Sequence, residues 1–373
     1  MCSAHVLKRQ LIVLAGVLLP LCTVLPAEEI YSAPAPEPLK SRLEERSLRR
    51  RLAERGVEYE AGYTAEYFGK LRGGLRSRRG GEYLGSVDAA LSLDLSKAGV
   101  GRGQFFLGAQ SLHGRGVNES WVGALQSLSS LDDAGFTRVT EAWYSDEYFH
   151  GRLRTRLGRQ YADSEFGVIE NGSEFINASY GLMPNNPMPT YPRPVLGASA
   201  WVDMLPWMSF GAGVFRGSET GPYTLSEVKI EPVPDRFLQS AIFRFGFWRQ
   251  ANDYGVYGTA DYWFRKPSEE EPGGPGLFLH WGLAPEDPNG ISDYVGGGIS
   301  YRGAVRKRPE DVIGVGVTSA ATGDSSRETA VEVFYKWQAA SKIAIQPDLQ
   351  WVLRPGGGGP HSVLFGIRMN CRF

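Results

Sequence analysis

The stretch VLFGIRMNCRF, residues 363–373, decides the fold. Every second residue from Val363 to Phe373 is apolar, and the residues between them are mostly small or charged. Because strand side chains alternate between two faces, this pattern predicts a strand with one apolar and one polar face. Two interpretations are open at this point. The segment is either a transmembrane strand between lipid and water, or the last strand of a soluble β-sandwich.

The amino terminus resembles an export signal. Lys8 and Arg9 precede an apolar run, residues 11–25, and Pro26-Ala27 follows it. A basic start, a short apolar middle and a small-residue exit predict a secretory signal peptide, residues 1–27, cleaved after Ala27 or Ala33. The run is too short for a comfortable membrane helix, although an uncleaved anchor is the alternative. Leu21 is too bulky for the position that precedes the lipid-modified cysteine of a lipoprotein, so Cys22 is not interpreted as a lipidation site.

Processing at Ala27 fixes the charge and cysteine content of the mature chain. Residues 1–27 carry two basic and no acidic residues of the 40 and 41 in the whole chain, which leaves a net charge of −3. This balance gives no support to nucleic-acid binding. Cys371 is then the one remaining cysteine, so no intramolecular disulfide is expected.

Residues 28–56 are predicted to be a Pro/Ala-rich linker followed by a short charged helix. The leucines of residues 39–52 do not share one helical stripe, which argues against a coiled coil. A helix at the mouth of a barrel and a mobile basic tail are both compatible with this composition.

From Val57 onward the apolar residues recur with period two, and Gly, Pro, Asn and Asp clusters separate the segments. Residues 57–373 show no sustained helical periodicity and no internal domain boundary. At roughly twenty residues per strand with its turn, this length predicts about sixteen strands. The fold class is therefore all-β: a single transmembrane antiparallel barrel of about sixteen strands with a short N-terminal helix. A secreted soluble β-protein is the other class that an export signal allows.

Several blocks resemble the carbohydrate-selective porin family of the OprB type. They are Glu332 with Tyr335, residues 345–351, residues 354–356, Gly366, Arg368 and Phe373; residues 141–144, 151–154 and 157–159 with Asp163 and Glu165-Phe166; and residues 175–177 with Pro192, Pro194 and Gly197. The resemblance implies a sixteen-stranded outer-membrane barrel, either a monomer or a homotrimer, that admits sugars by diffusion and is narrowed by inward-folded loops. It also implies that Phe373 is the assembly signal read by the outer-membrane insertion machinery.

Strand parity assigns the candidate pore-lining residues. In the strand near 151–160, Leu153 and Leu157 would face lipid, and the opposite face would line the lumen. The long polar segment Tyr161 to Arg193 is the candidate constriction loop, because long loops are usually functional or disordered. Arginine and carboxylate groups offer dense hydrogen bonding to a sugar, and an indole offers an apolar face. The candidates are Arg152, Arg154, Arg156, Glu141, Trp143, Asp163 and Glu165, although each of these charges could also be a solvated wall residue.

The last strands carry a second polar set. Gln346, Asp348 and Gln350 are predicted to face inward, as lumenal contacts or, more conservatively, as a structural polar ladder. Pro347 cannot donate a ladder hydrogen bond, so a bulge or a strand edge is expected there.

Enzymatic interpretations find little support. The sequence has no G-x-S-x-G, H-E-x-x-H or G-x-x-x-x-G-K motif, and its histidines are scattered singly. No cofactor and no metal site are expected, and a secreted glycosidase with two facing carboxylates is the remaining enzymatic alternative. We therefore expect a porin of the Gram-negative outer membrane, exported through the periplasm, with small carbohydrates, lipid and lipopolysaccharide as partners. A general diffusion porin without sugar preference is the runner-up.

Overall fold

The computed structural model describes residues 48–76, 78–217, 221–232, 241–265, 273–322 and 326–373. The chain divides into two compact units, residues 1–54 and 55–373. In the first unit, residues 48–54 are helical. The predicted signal peptide and residues 28–47 lie outside the described residues. In the part of the chain that is described, no helix has the length and apolar character needed to cross a membrane.

The second unit is a closed antiparallel barrel of sixteen strands, in which each strand pairs with its neighbours in sequence and β16 pairs with β1. The predicted fold class and strand number are confirmed. The strands are β1 Val57–Arg72, β2 Gly80–Asp94, β3 Gln104–Gly114, β4 Phe136–Tyr148, β5 Leu153–Gln160, β6 Val195–Leu205, β7 Met208–Phe215, β8 Tyr223–Ile230, β9 Ala241–Gln250, β10 Asp253–Trp263, β11 Pro275–Leu283, β12 Ile291–Arg302, β13 Val312–Thr322, β14 Arg327–Ala340, β15 Ile343–Leu353 and β16 Ser362–Arg372.

The antiparallel order places the start of β1 and the end of β16 at one end of the barrel, here called the near end; the opposite end is the far end. The two longest connections, L2 (residues 115–135) and L3 (residues 161–194), both leave the far end. Short helical turns interrupt the connections at Asn118–Val122, Ala178–Tyr180, Glu286–Asn289 and Pro355–Gly357.

The outer and inner faces of the strands differ in chemistry. Large apolar side chains are exposed on the outer face, for example Leu157 (64% exposed), Leu196 and Leu279. The inner face carries buried polar and aromatic residues. This is the alternation that a wall between lipid and a polar interior requires, and strand formation leaves no unpaired edge because the sheet closes.

The ladder at Pro347 corrects one expectation. Pro347 pairs in regular register with Ile367 of β16, and no bulge lies at this position. On the other side of β15, the ladder with β14 skips Tyr335 and Lys336 and then resumes in the same register. The register shift between these two strands lies farther along, between Gln338 and Ala340. The predicted bulge at Pro347 is therefore wrong. A missing N–H interrupts the ladder locally, but strands on both sides of β15 hold its register.

Candidate pore constriction

L3 folds into the barrel and runs along its inner wall, where buried carboxylates on three strands accept its backbone N–H groups. The N–H of Gly167 donates to Glu227 of β8 at 2.7 Å. Asp261 of β10 accepts from Glu170 at 3.0 Å and from Asn171 at 2.9 Å. Hydrogen bonds to an ionised acceptor are roughly twice as strong as neutral ones, so each carboxylate is a strong attachment point.

Glu332 of β14 is the third such carboxylate. Its Oε1 accepts from the N–H of Ile176 at 2.7 Å and its Oε2 from the N–H of Asn177 at 2.9 Å. Glu332 is fully buried. L3 is therefore attached to the wall at β8, β10 and β14, which carries it across the interior of the barrel.

L2 is attached in the same way. Both carboxylate oxygens of Glu328 on β14 accept N–H groups of L2, from Leu125 and Gln126, each at 2.8 Å. The N–H of Gly356, in the far-end connection between β15 and β16, donates to the same carboxylate at 2.7 Å. L2 and L3 also bond directly, since the N–H of Ser130 donates to the carbonyl oxygen of Ile176 at 3.0 Å.

Aromatic packing fills the space between L3 and the wall. Phe175 and Tyr180 of L3 stack with ring centroids 4.3 Å apart, and Phe334 of β14 meets Phe175 edge-on at 4.9 Å. Gly316 of β13 makes this approach possible, because a Cβ there would clash with Tyr180 and lie 2.9 Å from the ring of Phe175. The glycines of the wall thus make room for loop aromatics rather than for solvent.

Two cavities adjoin along L3. One, of about 250 Å³, lies among residues of L2 and L3. The other, of about 360 Å³, lies between the loops and the wall strands β1 and β16, and is lined there by Thr64, Arg368 and Asn370. Asp163, Ala178, Gly181 and Leu182 border both cavities. These four residues of L3 therefore stand where the two spaces meet, and this is the candidate constriction.

The structure brings four of the predicted site residues together on the inner wall. The guanidinium of Arg156 lies 4.2 Å from the ring centroid of Trp143, and its Nη2 lies 3.4 Å from the Glu165 carboxylate of L3. The indole N–H of Trp143 donates to Glu141 at 3.1 Å. Phe106 of β3 stacks on Trp143 at 4.8 Å. This cluster combines both charge signs with an aromatic surface.

The other three predicted residues lie apart from that cluster. Arg154 faces the lumen and pairs with Asp203 of β6 at 3.1 Å. Arg152 lies exposed in the near-end turn between β4 and β5. Asp163 accepts hydrogen bonds from the Thr190 hydroxyl and from the backbone of Tyr191, and it borders both cavities. Burial raises the pKa of Asp163 to about 6, and the nearby charge of Glu141 acts in the same direction.

Arg368 of β16 supplies the cationic side of the larger cavity. Its Nε donates to Glu66 of β1 at 2.6 Å, and its Nη2 donates to the hydroxyls of Ser129 and Ser130 in L2. The Thr64 hydroxyl donates to the side chain of Asn370 at 3.0 Å beside it. Glu66 and Thr64 carry no motif of their own, and the closure of β1 on β16 places them beside Arg368. The two serines belong to L2, and the inward fold of that loop brings them to Arg368.

A second ionic group attaches the part of L3 around Glu174. This carboxylate lies 2.9 Å from Arg302 of β12 and 2.5 Å from Lys336 of β14. Burial disfavours its charge, but Lys336 and Arg302 together outweigh burial and hold the pKa of Glu174 below its usual range. Gln346 of β15 donates to the Glu174 carbonyl oxygen at 2.8 Å, so this member of the predicted polar ladder holds the loop.

The comparisons with known proteins agree with this architecture. The family described as "Carbohydrate-selective porin, OprB family" matches residues 78–240 and 244–373. The chain belongs to the OprB family of carbohydrate-selective porins. It is thus a sugar-preferring porin, and both family and fold identify a transport channel.

Individual OprB-type relatives are distant in sequence. Porin B of Pseudomonas aeruginosa is 20% identical over an alignment 398 positions long, which covers 85% of this chain and 88% of that protein. The high-pH structure of Pseudomonas putida OprB is 18% identical, covers 88% of this chain and 97% of that one, and superposes with a TM-score of 0.80. A mutant of Rh. blastica porin is 9% identical, with coverages of 85% and 100% and a TM-score of 0.55. At such identities the solved structures support the fold alone.

Proposed function

We propose that sugars diffuse through this OprB-type barrel along the two cavities that adjoin at L3. The observation that carries this proposal is the set of residues shared by both cavities, Asp163, Ala178, Gly181 and Leu182. The larger cavity offers hydrogen-bonding groups from Arg368, Asn370 and Tyr191 beside apolar surface from Leu182 and other loop residues. A sugar presents hydroxyls at its edge and C–H groups on its faces, so such a mixed lining suits it.

The proposed location is the outer membrane, with the far end toward the cell exterior. Barrels of this membrane have short periplasmic turns and longer extracellular loops, and the long L2 and L3 leave the far end. The near end, where the barrel begins and ends, would then face the periplasm. Export would depend on the predicted signal peptide, residues 1–27, and insertion on recognition of Phe373.

The predicted site residues take distinct roles in this proposal. Trp143 is 9% exposed and packs against Phe106 and Arg156, so it would hold the Arg156 guanidinium in place on the wall, where Arg156, Glu141 and Glu165 would offer hydrogen-bonding groups to a sugar. Arg154 and Arg152 would line the route toward the near end. Asp163 would place a carboxylate at the constriction itself.

The charges around L3 favour neutral polar solutes. Arg156 faces Glu165, Arg368 faces Glu66, and Glu174 faces two cations. Paired charges of both signs produce little net field, so an ion gains little on entering. They still provide donors and acceptors at fixed positions, which a neutral sugar can use.

The test is swelling of liposomes that contain the purified protein. Sugars and neutral amino acids of similar mass are supplied in separate runs, and sugars are expected to enter several times faster. Equal rates would remove the sugar preference and leave general diffusion. The location is tested separately by membrane fractionation, where the protein should accompany outer membranes, resist SDS at room temperature and change mobility on boiling. A protein fully soluble in the periplasm without detergent would contradict the location.

A further inference from the structure

Asp348 of β15 and Glu332 of β14 bring two carboxyl groups into contact on the inner face of the wall. Their side chains are 1% and 0% exposed. In the β14–β15 ladder Glu332 lies opposite Gln350 and Phe334 lies opposite Asp348, so the two acids are diagonal neighbours on one face. Their carboxyl groups are hydrogen-bonded to each other. An ionised carboxylate offers only acceptors, so this hydrogen bond requires that one of the two groups carries a proton.

A series of hydrogen bonds fixes which oxygen of Asp348 is available to Glu332. The backbone N–H of Ser179 donates to Asn177 Oδ1 at 2.9 Å, which directs the Asn177 amide nitrogen to Gln350 Oε1, at 3.3 Å. The Gln350 amide nitrogen is thereby turned toward Asp348 Oδ1, to which it donates at 3.0 Å. Oδ1 of Asp348 is therefore an acceptor, and Oδ2 is the oxygen that remains for Glu332.

The oxygens of Glu332 already accept hydrogen bonds from L3. Oε1 accepts the N–H of Ile176 at 2.7 Å, and Oε2 accepts the N–H of Asn177 at 2.9 Å. A proton on either oxygen would leave L3 bonded to a neutral acid, which is a weaker acceptor than a carboxylate. Asp348 Oδ2, in contrast, is buried and accepts no hydrogen bond from the described residues. The proton is therefore better placed on Asp348 Oδ2, from which it can be donated to Glu332.

The charges around the pair lead to the same assignment. Ionisable side chains of the neighbouring elements also face this part of the interior: Lys336 of β14, Arg368 of β16, Glu66 of β1, and Glu174 and Tyr180 of L3. Lys336 lies 2.5 Å from the Glu174 carboxylate, and Arg368 donates to Glu66 at 2.6 Å. The Tyr180 hydroxyl donates to a backbone carbonyl oxygen of β14. Both cations are thus paired with other carboxylates, and a second anion in the pair would be a buried charge without a partner.

We propose that Asp348 is a positioning residue of the constriction, which holds a proton on Oδ2 and donates it to Glu332, so that Glu332 stays anionic and keeps L3 at the wall. An O–H group forms a short, strong hydrogen bond to a carboxylate, which holds Glu332 in the orientation that serves both loop N–H groups. A metal cation between the two acids fits less well, because Glu332 and Asp348 Oδ1 already direct lone pairs at N–H donors. The role in the pore rests on the proposed sugar path past L3, whereas the position of the proton does not.

Infrared spectroscopy of three detergent-purified proteins at pH 8 tests the position of the proton. The proteins are wild type, Asp348→Asn and the control Glu286→Gln, which replaces an exposed acid in the connection between β11 and β12. A protonated carboxyl has a C=O stretching band at higher frequency than a carboxylate, and exposed glutamates are ionised at pH 8. Asp132 and Asp163, whose pKa values are raised to about 6, are mostly ionised at this pH as well.

The protonated-carboxyl band should be present in wild type and Glu286→Gln and lost in Asp348→Asn. Its presence at full strength in Asp348→Asn, with resistance to SDS verifying a folded barrel, would overturn the proposal. A second measurement uses wild type alone, labelled with aspartate that carries ¹³C in the side-chain carboxyl. The band should then move to lower frequency. An unmoved band would assign the proton to a glutamate, and the absence of any such band would leave the pair without a proton; either result overturns the proposal.

A pair of substitutions tests the role of the proton in the pore. Asp348→Asn presents an oxygen and an NH₂ group where the protonated acid presents an oxygen and an O–H, so single-channel conductance should stay close to wild type. Asp348→Leu has a similar size and no donor, and it should increase the time spent at higher conductance roughly tenfold, the effect of losing one hydrogen bond to a charged acceptor. Equal conductance in the two variants would show that the donor does not position Glu332. The infrared result involves no solute, so its failure is distinguishable from a failure of the proposed sugar path.

Discussion

The carboxylate of Glu332 on β14 accepts the backbone N–H of Ile176 in L3 at 2.7 Å, across 156 positions of sequence. The same carboxylate accepts the N–H of Asn177 at 2.9 Å. This relationship shows how the barrel shapes its own interior. Strand side chains of the wall bind loop backbone, and the loop then defines the open space.

Replacing Glu332 with glutamine should loosen L3 while preserving side-chain size. An amide has one acceptor oxygen, and its NH₂ group would oppose one of the two loop N–H groups. The loss of one charged hydrogen bond should weaken the attachment of L3 to the wall by about 2 kcal/mol. Single-channel conductance should then rise, because L3 can move away from the open space that it narrows. Glu286→Gln, at an exposed position in the connection between β11 and β12, is the control. Equal conductance in the two variants would show that Glu332 does not hold the constriction.

The wall residues identified by parity should affect sugar flux more than their lipid-facing neighbour. Arg154→Ala removes a lumenal cation, and Glu141→Ala removes the acceptor of the Trp143 indole N–H. Leu153→Ala changes the outer face of the same strand and serves as the matched control. Rates of sugar entry into liposomes should change in the first two variants and remain close to wild type in the third. If all three rates were the same, these side chains would have no part in selectivity.

Protonation of Asp163 should alter ion selectivity between pH 7 and pH 5. Because its pKa is raised to about 6, the carboxyl is mostly charged at pH 7 and mostly neutral at pH 5. The preference for cations, measured as a reversal potential across a salt gradient, should therefore decrease as the pH falls. The folded pKa exceeds the usual value, so the contribution of this group to stability is greatest below about pH 4 and is lost as the pH rises through 6.

Asp163→Asn should abolish this pH step and resemble the wild-type protein at pH 5 throughout. Asp132→Asn is the control, since burial also raises the pKa of Asp132 in L2 to about 6, but this residue does not border the two cavities at L3. If the reversal potential of Asp163→Asn changed with pH as much as that of the wild type, the titration would belong to another group.

Glu66 and Arg368 should behave as a coupled pair. Both are largely buried, so removal of one partner leaves an uncompensated charge, and either Glu66→Gln or Arg368→Gln should cost about 3 kcal/mol in the free energy of unfolding. The double variant should cost less than the two single variants together, by about 1–3 kcal/mol. Urea titrations in lipid vesicles measure the free energy of unfolding of the wild type, the two single variants and the double variant. Strict additivity would mean that the contact contributes no net coupling.

Much of the barrel could be predicted because lipid outside and polar groups inside impose period two on each strand. Strand β8, Tyr223–Ile230, does not follow this rule, whereas the number of sixteen strands could be predicted from chain length. In β8 the inward Tyr223 and Leu225 are apolar and lie beneath L3, while the outward Thr224 and Ser226 are polar. An inner face that packs against a loop loses its polar character, so alternation no longer indicates the strand.

The site could be predicted less completely. Parity correctly placed Arg154, Arg156, Glu141 and Trp143 on the inner face, and the length and polarity of Tyr161 to Arg193 predicted L3 as the candidate constriction loop. The carboxylates that hold L3, such as Glu227 and Asp261, could not be assigned, because their partners are backbone N–H groups and carry no sequence signature. Gln350 illustrates the outcome for the polar ladder, since its amide donates to the Leu128 carbonyl oxygen of L2 at 2.9 Å and so supports the structural interpretation.

The position of Glu328 and Glu332 so late in the sequence has a consequence for biogenesis. L2 and L3 are synthesised before β14, yet their backbone N–H groups find these acceptors only when β14 has joined the sheet. A partly inserted chain therefore lacks the groups that hold its inner loops in place. Closure of the wall and narrowing of the conduit are then one event, because the inner loops are held in place only once β14 is part of the sheet.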